Sequence, residues 1–82
     1  MPMAQLNEHA HQLYGDLGNL AESGVPEVGK PLADVYNTLL EQAKKQFPQD
    51  RLIGTLTPIN DGMHPRVLQA LAGQLRLVLG NA

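Results

Sequence analysis

Leu6, Ala10, Leu13, Leu17 and Leu20 are separated by four, three, four and three residues. That alternation gathers them on one face of an α-helix, because side chains three and four apart lie one above the other. A strand would need apolar residues at every second position, and no segment of the chain alternates convincingly in that way. The spacing predicts a first helix over residues 4–22, with Tyr14 and Ala21 widening the seam on one side. Gly15 and Gly18 fall inside it, each costing about 1 kcal/mol relative to alanine. Lying three apart, they share a face. They either weaken and kink the helix or let another backbone approach closely.

Proline and glycine punctuate the rest of the chain. Ser23-Gly24-Val25-Pro26 ends the first helix, with Gly24 suited to a left-handed C-terminal cap. Pro31 suits the first position of a second helix, 31–47, where its missing N–H does no harm. Leu32, Val35, Tyr36, Leu39, Leu40, Ala43 and Phe47 give that helix a broad apolar face. Glu41 and Lys45 form an i,i+4 pair in the favourable order, and Lys44 and Lys45 sit where cations suit the helix dipole. Pro48 stops it. Asp50 is an N-cap for a short third helix, 51–56, which Thr57-Pro58 closes. The junction Phe47-Pro48-Gln49-Asp50 is similar to the helix-to-helix step of a tetratricopeptide unit. No second copy occurs at a fixed period, and solenoids need several, so the junction assigns no family.

His64 occupies the cap position of a fourth helix, 65–79, which Gly80-Asn81 ends. Val67, Leu68, Leu71, Ala72, Leu75, Val78 and Leu79 cover about 140° of its circumference at 100° per residue. Ala70 and Leu77 extend the arc to roughly 220°. The polar remainder is narrow: Arg66, Gln69 and Arg76, with Gly73 among them. This is the most apolar element of the chain, and it requires cover from more than one neighbour. Three long helices and one short one predict an all-α fold, an antiparallel helical bundle, as a single domain over residues 1–82.

Composition narrows the function classes. A chain of 82 residues buries roughly 60% of the surface its unfolded form exposes, so stability is marginal without a staple. The absence of cysteine removes disulfides, thiolate metal sites and cysteine nucleophiles together. A net charge of −2 with scattered basic residues offers no basic stripe for nucleic acid. The opening Met1-Pro2-Met3-Ala4-Gln5 lacks the basic and apolar regions of a signal peptide, and no run has the length of a membrane span. The expectation is a soluble, cytoplasmic protein that engages no membrane.

Reactive groups are sparse. His9 and His11, two apart on a helix, point about 200° from one another and cannot share a metal ion. His64 is remote in sequence, and a metal site would have to combine it with one of the pair and a carboxylate such as Glu8 or Asp61. The carboxylates are spread evenly, with no clustered pair for acid–base work. Ser23, the only serine, lies in a Ser-Gly linker without a nucleophile-elbow pattern. The sequence thus predicts no catalytic, metal or cofactor site and a protein that is not an enzyme. The loop Thr57–Pro65 reads as a connector that turns the chain and caps helix four, with a binding loop as the other possibility.

The apolar distribution points instead to association. Helix one offers a leucine seam and helix four an arc wider than one partner covers. A twofold dimer would bury both. The expected interface comprises Leu6, Leu13, Leu17, Leu20, Ala70, Gly73 and Leu77. The expected function is that of a structural or adaptor module acting through helix-mediated self-association, as a homodimer, or through binding another protein. The alternative is a small helix-turn-helix regulator using the third and fourth helices, with Arg66, Gln69 and Arg76 on its recognition face. The acidic balance and the apolar bulk of helix four argue against it.

Overall fold

A computed structural model describes residues 3–80. Met1, Pro2 and Asn81, which bear on the leader reading and on the stop of helix four, lie outside the described residues. Four helices form: α1 (Met3–Glu22), α2 (Lys30–Gln46), α3 (Arg51–Thr55) and α4 (Pro65–Gly80), and no strand occurs among the described residues. The fold is all-α, as the apolar spacing predicts.

Each boundary has a local cause. Gly24 takes φ 76°, its N–H bonds Ala21 O at 3.1 Å, and the Val25 N–H bonds Leu20 O at 3.1 Å. These are the two hydrogen bonds of a Schellman cap, which satisfies the last carbonyls of α1. Helix α2 begins one residue earlier than Pro31 suggests. Gly29 is the N-cap, and its carbonyl accepts from Ala33 at 3.2 Å. Pro31 then stands at the second helical position, where the N–H is equally unused. Phe47 leaves the helix as its C-cap with φ −128°, because the following Pro48 disfavours helical geometry there. Asp50 caps α3 through a 3.0 Å bond from the Ile53 N–H. Leu56 is extended rather than helical, so α3 is a residue shorter than 51–56.

The seam of α1 packs lengthwise against α4. Gly18 meets Gln69, Tyr14 meets Gly73 and Arg76, and His11 lies beside Arg76. Rising numbers on one helix against falling numbers on the other make the pair antiparallel. Leu6, Ala10, Leu13 and Leu17 of α1 share one core with Tyr36, Leu39, Leu40 and Ala43 of α2 and with Leu68, Ala72, Leu75 and Leu79 of α4. Ile53 of α3, Leu56 just after it and Val28 of the first connection complete it. The molecule measures 36 × 20 × 18 Å, its long dimension about one turn more than the ~30 Å of its longest helix.

The α1–α2 and α3–α4 connections are tied to each other, and the second of them to α2. Val28 donates to Met63 O at 2.7 Å and accepts from the Gly62 N–H at 2.9 Å. Gly62 has φ 94°, a conformation open to glycine, which lets the Asp61-Gly62 turn close on Val28. From α2, the Asn37 side chain donates to Ile59 O and accepts from the Ile59 N–H, both at 2.8 Å. A side-chain amide here replaces one rung of a backbone ladder.

Candidate functional site

The expected interface divides in the structure. Leu6, Leu13 and Leu17 are at most 1% exposed, and Leu20 packs half-buried against the same core. A 4-3-4-3 seam serves any helical neighbour, and here the neighbours are the chain's own α4 and α2. Leu6, Leu13 and Leu17 are therefore not free to meet a second chain. Gly73 is also occupied from within: a Cβ added there would stand 3.1 Å from Cε2 of Tyr14. Its smallness makes room for the Tyr14 ring.

Gly18 has a comparable role. A Cβ there would come within 2.8 Å of Nε2 of Gln69, which donates to the Tyr14 carbonyl at 3.4 Å. What approaches is a side chain, not a second backbone. Gly15 faces open space. Arg76 completes this edge with its guanidinium 4.7 Å from the centroid of the Tyr14 ring. Such a cation–π contact at a partly exposed site is worth about 0.5–1 kcal/mol.

Ala70 and Leu77 remain on the outside. Leu77 is 62% exposed and Val67, on the same face, 52%. Val67, Ala70, Gln74 and Leu77 are separated by intervals of three, four and three, and all four are exposed. They form a straight stripe on the side of α4 opposite its core residues Leu68, Ala72, Leu75 and Leu79. Half-buried Leu71 and Val78 border the stripe on one side. No charged residue lies on it. Arg66 is turned to Gln69 Oε1 at 3.0 Å, and Arg76 to Tyr14.

The same contacts bear on recognition of DNA. Gln69 and Arg76 are engaged with α1, and α3 is only 5 residues long. Residues 56–64 separate it from α4, whereas a helix-turn-helix joins its helices through a turn of about three or four residues.

A second surface is the groove between α1 and α2, with a volume of about 460 Å³. Leu13, Leu32, Val35 and Leu39 give it an apolar floor and wall, and Asp16 and Asp34 stand at its rim. The sequence does not single it out, because it depends on how two helices are placed relative to each other.

The histidines stand apart. His9 and His11 are exposed on α1, while His64 Nδ1 accepts the Arg66 N–H at 3.1 Å and caps α4 as its position suggests. Among the described residues, no group of three or more His, Cys, Asp or Glu is placed to hold a metal ion, and no helix is long and apolar enough to cross a membrane. Compared with known proteins, the chain matches no family model, no curated protein and no solved structure.

Proposed function

We propose that the protein is a structural or adaptor module that self-associates through the outer stripe of α4. The observation that carries this reading is the uncharged run Val67–Ala70–Gln74–Leu77, exposed at heptad-like spacing on a helix whose opposite face is fully used. Solvent-facing helix surfaces ordinarily carry charge; the four residues of this stripe carry none, and exposed Arg66 beside them is turned to Gln69.

A second copy is the partner that matches it. Two antiparallel α4 helices related by a twofold would set Val67 against Leu77 and Ala70 against Gln74. Ala70 allows close approach, and Gln74 provides one polar position that fixes register. Antiparallel pairing also sets opposite helix-dipole ends together. The seam spans barely two heptads, so the dimer belongs with small, reversible interfaces.

The test is sedimentation or light scattering at tens of micromolar. The wild-type chain is expected to be dimeric and L77E, altered at an exposed position, to be a folded monomer. A monomeric wild type at that concentration overturns the proposal.

A further inference from the structure

We propose that the groove between α1 and α2 receives the apolar face of a lysine- or arginine-bearing amphipathic helix from a partner protein. This surface is separate from the α4 stripe and does not depend on it.

The bundle has a vacant place. Three long helices and a fragment occur where a four-helix bundle has four long members. Helix α4 lies along one side of α1. On the other side, the groove between α1 and α2 is lined from those two helices alone. At about 1.5 Å per residue, the 5-residue α3 is too short to fill it. Leu13 and Leu39 lie beneath the groove at no more than 2% exposure, and the apolar surface still open is that of half-buried Leu32 and of Val35, 42% exposed. An incoming helix with apolar residues at i, i+3 or i+4, and i+7 would cover these side chains as the fourth member of a bundle.

Charge selects the kind of helix. Asp16 of α1 and Asp34 of α2 stand exposed on opposite sides of the mouth. Helix α1 holds no lysine or arginine, and the lysines of α2 lie at its ends, Lys30 first and Lys44 and Lys45 in the last turn. The lined stretches, residues 9–16 and 32–39, contain no lysine or arginine. A helix flanked by basic side chains meets complementary charge on both sides, whereas an acidic one meets like charge.

The probe is a fluorescently labelled synthetic helix with leucines at i, i+3, i+4 and i+7 and lysines on both flanks, titrated with the full chain and followed by anisotropy. Binding is expected, weakening as salt is raised. The same helix with glutamate flanks is expected not to bind. Combining Asp16→Lys with Asp34→Lys is expected to weaken binding at least tenfold. Combining Glu22→Lys with Asp61→Lys, an equal change of net charge away from the groove, is expected to leave it within twofold. Val35→Asn alters the wall without altering charge and is expected to weaken binding severalfold. All five positions are exposed, and thermal melts confirm that each variant is folded.

Absence of binding, equal binding of the glutamate-flanked helix, or equal weakening by both charge-reversed pairs would overturn the proposal. So would a change in the sedimentation of the protein alone on reversing Asp16 and Asp34, since a second copy would then fill the groove. L77E is expected to keep peptide binding, so failure of α4 self-association and failure of this site are distinguishable.

Discussion

Among the described residues, the Tyr36 hydroxyl is the buried side-chain polar atom left without a hydrogen-bond partner. The ring is fully buried among core leucines, and that burial raises the phenol's pKa above its ordinary 10.0. An unpaired buried hydroxyl costs about 1–3 kcal/mol, so Y36F is expected to leave stability unchanged or to raise it by about 1 kcal/mol in urea unfolding. The pH dependence has a definite sign. The unfolded phenol ionises near 10 and the folded one only above that, so the native state retains the proton longer. Stability falls as pH rises past 10 on this group's behalf, and Y36F is expected to remove that part of the alkaline loss. Equal alkaline slopes for the two proteins would contradict the assignment. Residue-scale features were legible where both partners are local. Gly24, Asp50 and His64 each act within a turn of their own position, and residue type and placement revealed them. Asn37 was not legible, because its partner Ile59 lies 22 residues away. Replacing Asn37 by alanine strands two backbone groups and is expected to cost about 2 kcal/mol in chemical denaturation.

At the scale of the helix, three glycines on the inner elements respond to different surroundings. Gly15→Ala adds a methyl group in open space and gains helix propensity, a stabilisation of about 1 kcal/mol. Gly18→Ala gains the same propensity but displaces Gln69 from the Tyr14 carbonyl, so its net effect is expected near zero. Gly73→Ala presses on the Tyr14 ring at 3.1 Å, which moves less readily than the end of a glutamine. It is expected to be the least stable of the three. Melting temperatures check the order, and Gly73→Ala above Gly15→Ala would contradict the packing of Tyr14. The sequence marked Gly15 and Gly18 as a pair and placed Gly73 at an interface. It could not separate them, because a small residue signals close approach without naming what approaches. Helix limits were legible to within about a residue. Their small shifts at Pro31 and Phe47 come from the freedom of the first-turn N–H groups and from proline acting on the residue before it.

For the whole molecule, hydrophobic period conveyed the class of fold, while burial decided which apolar face stays outside. From the sequence, the leucine seam of α1 and the edge of α4 are both assigned to a twofold interface, because periodicity does not tell an internal neighbour from an external one. In the structure α1 uses its seam on α4 and α2, and the outer edge of α4 is left at Val67, Ala70 and Leu77. The groove beside α2 was illegible for a related reason: its lining comes from two helices whose relative placement periodicity does not give. Sedimentation equilibrium of the wild-type chain beside L77E tests the association through α4 most directly. A reversible wild-type dimer at tens of micromolar and a folded monomeric variant are the expected result. A wild type that remains monomeric, or an L77E protein that dimerises as tightly as the wild type, would contradict it.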